Sequence, residues 1–260
     1  MALVSSGTIS IGGTTTNRSI NLELGRSATA TSSLNETALR NLAGVSSGTI
    51  SLSNFYGKSA DNFEGFVTNG NYEASSTTLS ITAPTGSNAF IGVAQDTRAT
   101  GSSNDISLSG SPTLIQPNNL AQVSPGFFER SQGFFKLNPG TTSIGYNGNY
   151  NTIAGAGFSD VTSLFSIGSS ASLNTVSVTR TTATNRTFIG LAASHAGSDN
   201  DSQVNFSGYT AFGRIGNSED LRGGCGVAYR QGTGVSQTYT HAYGGTDVKP
   251  SEYAFHELIA

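Results

Sequence analysis

Three histidines and one cysteine are the side chains of this 260-residue chain that most readily do chemistry. His195 precedes a polar loop in which Asp199 and Asp201 offer carboxylates of the kind that bind Ca²⁺. The loop lacks the turn glycine and the bidentate glutamate of an EF-hand, and Asp-rich loops between strands are usually solvated turns. We therefore predict no metal ion and no cofactor.

The other two histidines lie in segments of alternating polarity. Alternation places Tyr239, His241 and Tyr243 on one face of a strand, where their rings could stack on a sugar. An ordinary amphipathic strand face explains the same pattern, and we favour that interpretation. The pair His256-Glu257 is predicted at the exposed edge of the last strand.

Cys225 has no second cysteine in the chain with which to form a disulfide. Its setting among glycines, before an apolar run, predicts a small buried side chain at the start of a strand. A nucleophile would need a neighbouring base, and the chain carries no nucleophile elbow, P-loop or metalloprotease motif. Trp, the strongest stacking surface for sugars, is absent. We predict that the protein is not an enzyme and has no catalytic residues.

Composition sets the class of fold that must position these residues. Ser, Gly, Thr and Asn number 38, 33, 31 and 21, close to half the chain, whereas charged residues are 11%. Turn formers and Thr favour strands over surface helices, and 14 Phe with 9 Tyr argue against disorder. The net charge of −3 and the lack of a basic cluster exclude nucleic acid as an expected partner. No apolar run predicts membrane insertion or a targeting segment.

Matched segments about one hundred residues apart predict a duplication. Thr78–Thr82 matches Thr175–Thr179, and Phe90–Ala94 matches Phe188–Ala192. Further pairs are Ile106–Gly110 with Val204–Gly208, Gly133–Leu137 with Gly226–Arg230, and the closing strands Val161–Ile167 with Tyr253–Ile259. The prediction is a mainly β protein with two tandem antiparallel β-sandwich domains, jelly-roll or immunoglobulin-like, over residues 60–167 and 168–260. A single larger sandwich remains an alternative.

Two pairs of adjacent aromatic residues add a constraint on packing. Phe127-Phe128 and Phe134-Phe135 cannot place both rings on one side of a flat strand. One ring of each pair is expected in the core, and the other either in the core or at a contact between domains or subunits.

Residues 1–59 are predicted to form a small strand–helix–strand module. The seven-residue segment Val4–Ser10 occurs again unchanged as Val45–Ser51 and is predicted to form a strand in both places. Between them, Ser33 and Glu36 form a capping box, followed by an apolar stripe and Gly44. So few apolar residues should need another chain to cover them. The expected attachment interface consists of Ile9, Ile11, Leu39, Leu42, Ile50, Leu52, Phe55 and Tyr56.

The order of these segments resembles an N-terminal module of structural proteins of tailed bacteriophages. The matching parts are Ile20–Ser27 (INLELGRS), the helix ending in Leu-Ala-Gly44, and Ser46–Ser59 (SSGTISLSNFYGKS). The insertion Gly12–Arg18 departs from the pattern. The resemblance covers about the first 59 residues.

The resemblance implies a tail-fibre or baseplate component of the virion, made in the host cytoplasm. Its implied partners are other phage tail or baseplate proteins and two further copies in a homotrimer. Outward β domains could contact a host cell-surface glycan, and a lectin-like receptor-binding module or a capsid decoration protein are the alternatives. Candidate host-contact residues lie in two matched polar loops: Ser102, Asn104, Asp105, Asp199, Asn200 and Asp201.

Overall fold

The computed structural model divides into two compact units, Met1–Asn62 and Phe63–Ala260. It describes residues 3–15, 17–24, 26–45, 47–58, 62–70, 77–99, 106–124, 127–148, 151–172, 175–183, 186–194, 204–216, 224–243 and 251–260. Antiparallel strands dominate, so the prediction of a mainly β protein is confirmed.

The N-terminal unit is built from short helices and turns. Its elements are α1 (Ile20–Glu23), α2 (Thr37–Ala43) and a 3-10 helix (Leu52–Phe55), with one isolated bridge between Ser10 and Ser19. The two predicted strands are absent from the described part of this unit. Local side-chain bonds replace a ladder there: Ser51 N donates to Asn54 Oδ1 at 2.8 Å and closes the turn that starts the 3-10 helix.

The predicted helix is present and begins as its capping box requires. Ser33 N donates to Glu36 Oε1 at 2.7 Å, and Asn35 N donates to Ser33 Oγ at 3.2 Å. Arg26 donates to the other Glu36 oxygen at 2.6 Å. These contacts hold the pKa of Glu36 below its usual value. Gly44 follows the helix with φ +70°, the left-handed turn expected at its end.

This unit covers its own apolar residues. Leu39 and Phe55 are fully buried, and Ile9 and Leu42 are buried beside them. Three more of the expected attachment residues, Ile11, Ile50 and Tyr56, are half-buried against the same cluster, and Leu52 is exposed. The expectation that another chain covers these side chains is therefore corrected: seven of the eight build an internal core.

The second unit contains fifteen strands in its described residues. They are β1 (Phe63–Gly70), β2 (Thr77–Thr82), β3 (Ala89–Ala99), β4 (Thr113–Ser124), β5 (Phe127–Leu137), β6 (Ser143–Gly148), β7 (Asn151–Phe158), β8 (Ser163–Ser172), β9 (Thr175–Thr181), β10 (Arg186–Ser194), β11 (Val204–Ser207), β12 (Ala211–Gly216), β13 (Gly224–Gln231), β14 (Ser236–Tyr243) and β15 (Ser251–Ile259).

Both halves of this unit repeat one strand order. The large sheets run β1-β7-β3-β5-β4 and β8-β15-β10-β13-β12, and the small sheets are β2-β6 and β9-β14-β11. In the first half, Ser109 N donates to Gly145 O at 2.7 Å, so residues 106–109 take the place that β11 has in the second. A duplication predicts this agreement.

The boundary between the repeats differs from the predicted one. Ser163 pairs with Ile259, so β8 opens the second repeat and does not close the first. The first repeat runs from β1 to β7 and the second from β8 to β15, with residues 159–162 between them. The boundary expected at 167/168 therefore falls inside β8.

The predicted match of Gly133–Leu137 with Gly226–Arg230 differs by one residue from the correspondence that the strand pairing gives. Gly92 pairs with Phe134, whereas its counterpart Gly190 pairs with Ala228. Phe135 is therefore the counterpart of Tyr229, and Gly133 corresponds to Val227, not to Gly226. Because side chains alternate between faces, a slip of one residue would have exchanged the two sides of the strand.

The two large sheets face each other across one apolar core. Ile91, Val93 and Phe135 from the first repeat join Leu191 and Val227 from the second in a single buried cluster. Phe134, the neighbour of Phe135, instead lies in the first repeat's own core. The repeats are thus not separate domains, and the larger shared sandwich describes them better.

Each small sheet covers the outer side of its own large sheet. Leu79, Ile81 and Ile153 belong to the core between β2-β6 and the first large sheet. Val204 and Tyr239 belong to the corresponding core of the second repeat. The unit therefore has four layers, with the two small sheets outermost.

The contact between the repeats is arranged as in a twofold-symmetric dimer. β1 packs over β12, and their counterparts β8 and β4 pack together in the same way. An interface in which each partner uses the same patch is isologous. Here one chain supplies both partners.

Gly213 on β12 provides a test of this packing. A Cβ at Gly213 would lie 2.6 Å from Cγ of Phe66 on β1. We expect Gly213→Val to lower the free energy of unfolding by roughly 1–3 kcal/mol, because the added atoms overpack the shared core. Urea unfolding measures this change.

Gly168→Val is the matched control. A Cβ at Gly168 meets no atom within 4 Å. We expect its effect to stay within about 0.5 kcal/mol. Equal losses in the two variants would contradict the proposed contact of β1 with β12.

Candidate functional site

The strand ends of both repeats converge at one end of the second unit, here called the loop end. In the first repeat, Asp96 pairs with Asn151, and Gly70 pairs with Thr152. In the second, Ser194 pairs with both Gly224 and Ser251. β1 and β10 end at these positions and β7, β13 and β15 begin there, whereas β3 continues past Asp96 to Ala99.

A hydrogen bond shows that the two repeats share this end. Gln95, fully buried near the end of β3, donates through Nε2 to the carbonyl oxygen of Ser194, the last residue of β10. The corresponding ends of the two large sheets are therefore side by side. Loops of both repeats start from one surface.

Buried polar side chains concentrate beneath the loop end. Ser131 Oγ donates to Glu252 Oε2 at 3.0 Å, joining β5 of one repeat to β15 of the other. Tyr146 Oη bonds the carbonyl oxygens of Gln95 and Thr152. Burial, followed by the charge of Asp96, raises the pKa of Tyr146 well above its usual value, so its hydroxyl stays protonated. We call this set the polar layer: Gln95, Asp96, Ser131, Gln132, Asn151, Thr152, Ser194 and Glu252.

The opposite end of the shared core is aromatic. Phe63 stacks on Tyr229 with ring centroids 4.2 Å apart, and Phe66 lies 4.5 Å from Phe63. Phe158 meets Tyr229 edge-on at 5.7 Å. Along its strands the shared core thus changes from aromatic residues to the polar residues Gln95, Ser131, Thr152 and Glu252. Buried hydrogen bonds fix side-chain geometry, so the bonds of Gln95 and Glu252 to the opposite repeat can hold the two large sheets in register.

The candidate host-contact residues Ser102, Asn104, Asp105, Asp199, Asn200 and Asp201 lie outside the described residues, as does His195. The structure places the strands that flank them. β10 ends at Ser194 beside Gln95 of β3, and β3 continues from there to Ala99.

The predicted sugar-stacking face is part of the core at its two described side chains. Tyr239 and His241 are buried, and His241 lies among the rings of Phe206, Tyr209 and Phe255. Tyr209 Oη lies 2.5 Å from His241 Nε2. Burial lowers the pKa of His241 to about 3, so this ring is neutral at pH 7. These two side chains cannot stack on a ligand from solution.

The prediction that His256 and Glu257 lie at an exposed edge is wrong. His256 lies between Ser166 on β8 and the Gln116 carbonyl on β4, with Nε2 donating to that carbonyl at 3.0 Å. Burial lowers the pKa of His256. β15 pairs with strands on both sides, so the last strand of the chain is internal in its sheet.

Glu257 faces the other side of the same strand and is paired. Arg180 and Arg186 both lie 2.7 Å from its carboxylate. Burial alone would raise the pKa of Glu257, but the two guanidinium groups outweigh it and the pKa is lowered. The charged pairs join β9 to β10 and β15.

Cys225 is buried, as predicted. Burial raises the pKa of its thiol to about 12, and Sγ donates to the carbonyl oxygen of Val93 across the shared core. The Cys225 thiol is therefore inaccessible to solvent and protonated at pH 7. The described residues also contain no group of three or more His, Cys, Asp or Glu side chains placed to hold a metal ion.

Sequence reasoning missed the polar layer, although one signal was available. Ile91, Val93 and Gln95 have the same parity on β3, so a polar residue continues an inward-facing series. Glu252 likewise shares its parity with Ala254 and Leu258 on β15. A polar residue in an inward position near a strand end indicates a buried bond, but its partner lies in the other repeat.

Comparison of the chain with protein-family models, with curated proteins and with solved structures finds no match. Among the described residues, no helix has the length and apolar character to cross a membrane.

The buried histidines make stability depend on pH. The unfolded chain binds a proton at His241 below about pH 6.5, but the folded chain resists protonation until about pH 3. The stability is therefore complete above pH 6.5 and is lost as pH falls toward 3. His256 acts in the same direction. Between about pH 7.5 and pH 4.5, we expect the protonation of His241 alone to lower the free energy of unfolding by roughly 3 kcal/mol.

His241→Gln tests this expectation because it keeps an acceptor for Tyr209 and does not titrate. Urea unfolding at both pH values should show a smaller acid loss in the variant than in the unaltered chain. The carboxylates titrate alike in both proteins and cancel from the comparison. An identical loss in the two proteins would show that His241 is not protected from protonation.

Proposed function

We propose that the chain is a structural virion protein of a tailed bacteriophage, a tail-fibre or baseplate component that is attached through its N-terminal unit. The observation that carries this proposal is the ordered series of motifs over the first 59 residues. The series combines Ile20–Ser27, the helix ending at Gly44 and the closing segment Ser46–Ser59. Its role is assembly and contact, with no chemical step.

A self-contained N-terminal unit supports this role. Leu39 and Phe55 are fully buried within it, so the unit can meet a partner as a folded body. The attachment surface is then formed by its exposed side chains, and among the described residues of this unit Leu52 is the large apolar one. Exposed apolar side chains contribute most when a partner covers them completely.

We infer that each repeat belongs to the jelly-roll type. Numbered within a repeat, the strands are ordered 1-8-3-6-5 in the large sheet and 2-7-4 in the small one. Moving strand 5 to the edge of the small sheet, beside strand 4, would give the two four-stranded sheets of a jelly roll. Such double-sheet folds occur in viral capsid and lectin domains.

A receptor-binding role is the second candidate, and the shared loop end favours it. Loops from two repeats leave one surface, so each chain would offer two equivalent sets of contacts to a host glycan. Linked sites gain avidity when both can bind at once. The polar layer keeps their strand ends in register.

The position in the virion is tested by labelling. A gold-conjugated antibody against the second unit should mark the tail end of virions of the phage that encodes the chain. Label over the whole head would instead identify a capsid decoration protein. Virions without label would contradict a virion role of either kind.

The attachment role predicts the behaviour of a truncated chain. Residues 63–260 contain their own buried clusters and should fold, but without the N-terminal unit they should fail to join the particle. Circular dichroism reports folding, and immunoblots of purified virions report incorporation. Incorporation equal to that of the full chain would show that attachment lies elsewhere.

The oligomeric state is the third prediction of the proposal. Light scattering of the full chain should give three times the 26.7 kDa of one chain. A mass of 26.7 kDa at every concentration would contradict the homotrimer.

A further inference from the structure

The charged cluster around Glu257 is open to solvent on its arginine side. Glu257 itself is buried, and Arg180 Nε and Arg186 Nη1 each lie 2.7 Å from its carboxylate. The side chains of the two arginines remain 33% and 35% exposed. Two guanidinium groups against one carboxylate leave this cluster with a net charge of +1.

An exposed aromatic ring lies beside the cluster. Phe165 on β8 pairs with Glu257 on β15, and cross-strand partners lie on the same side of a sheet. The Arg180 guanidinium carbon lies 6.0 Å from the centre of the Phe165 ring, yet Phe165 is 48% exposed. A large apolar surface is thus open to solvent next to two cations. We call Phe165, Arg180, Arg186 and Glu257 together the arginine site.

The arginine site lies at an edge of the second repeat. β8 is the edge strand of the large sheet, and β9, which carries Arg180, is the edge strand of the small sheet. A ligand can therefore approach from the side, between the two edges. Glu257 is near the end of β15, whereas the loop end lies at Ser251, where β15 begins. The arginine site is thus separate from the loop end.

The first repeat closes the equivalent edge without ions. The strand pairing makes Gly65 the counterpart of Phe165 and Gly157 the counterpart of Glu257. Pro84 fills the space over both glycines, since a Cβ at Gly65 would lie 3.3 Å from its Cγ and a Cβ at Gly157 would lie 2.7 Å from its Cδ. The two arginines have uncharged counterparts, Ala83 and Asn88. The fold therefore does not require the arginine site, which is a property of the second repeat alone.

The chemistry of the arginine site selects an anion that is carried on a ring. The bonds to Glu257 use Nε and Nη2 of Arg180 and Nη1 of Arg186. A guanidinium has five N–H donors, so partly exposed donors remain for a second carboxylate. Because Glu257 already holds both arginines in place, binding costs less side-chain entropy. The exposed face of Phe165 can cover the apolar side of a sugar ring.

We propose that the arginine site binds an acidic sugar residue of a host cell-surface glycan. The sugar carboxylate lies against Arg180 and Arg186, and its ring lies on Phe165. The proposal rests on the host-contact role of the protein, and it gives that role a ligand class and a site away from the loop end. A neutral sugar would leave the positive charge unused, and a small inorganic anion would leave the phenyl ring uncovered.

Biolayer interferometry of the full chain against immobilised polymers tests the proposal. Oligogalacturonate and polysialic acid are the acidic glycans, dextran is the neutral glycan, and poly-L-glutamate carries carboxylates without sugar rings. We expect binding to at least one acidic glycan, weaker binding to the other two polymers, and loss of affinity as salt is raised. Absence of binding to both acidic glycans overturns the proposal. Equal binding to dextran, or to poly-L-glutamate, overturns it as well.

Phe165→Ala tests the ring and has a matched control in Phe212→Ala. Phe212 is also exposed, and the Arg214 guanidinium carbon lies 5.3 Å from its ring centre, but Arg214 donates to the neutral oxygens of Val204 and Asn205. We expect Phe165→Ala to weaken binding to the acidic glycan by about three- to tenfold and Phe212→Ala to leave it unchanged. Equal losses in the two variants overturn the proposal, and so does undiminished binding by Phe165→Ala.

The charge is tested by combining R180Q, R186Q and E257Q. This variant removes the net positive charge without leaving an unpaired ion in the protein, and we expect it to lose binding to the acidic glycan. Thermal unfolding verifies that it folds, and Phe165→Ala, which changes an exposed side chain, keeps the test decisive if it does not. Undiminished binding by the folded triple variant overturns the proposal. Gold labelling of virions does not depend on these residues, so failure here leaves the virion assignment standing.

Discussion

The apolar contact between the two large sheets is the constraint on which the second unit depends. Neither large sheet can leave this side in water, because Ile91, Val93, Leu191 and Val227 all face it. Burial of apolar surface is the main favourable term in folding, so the large sheet of each repeat covers the apolar side of the other. The small sheets then cover the outer sides. One consequence is that both sets of strand ends lie at the same end of the unit.

The functional arrangement follows from how this contact changes along its length. At the aromatic end, Phe63, Phe158 and Tyr229 fill space. At the loop end, Gln95 and Glu252 exchange directed bonds with the opposite repeat. Directed bonds fix register more strictly than apolar contact does.

Much of this fold could be predicted from the sequence, because polar and apolar residues alternate along the matched strands of the two repeats. The match of Phe90–Ala94 with Phe188–Ala192 correctly places an inward and an outward side on β3 and β10. The match of Gly133 with Gly226 was wrong by one residue, because a glycine can be aligned with any other glycine. The correct register is given only by the pairing of these strands with β3 and β10. The prediction of two N-terminal strands was wrong for a local reason: in short Ser/Gly segments, side chains can supply hydrogen bonds that the backbone would otherwise make in a sheet. Burial of His256 and Glu257 could not be predicted, because it depends on which strands flank β15.

The central claim is that the two repeats form one cooperative unit through the shared core. Native-state hydrogen exchange of Ile153→Ala tests it most directly, because Ile153 lies in the first repeat's own core and away from the second repeat. The account predicts that protection falls by about 2–5 kcal/mol in β3 and by the same amount in β10. Loss of protection in β3 with β10 unchanged would show that the repeats unfold independently and would contradict the account.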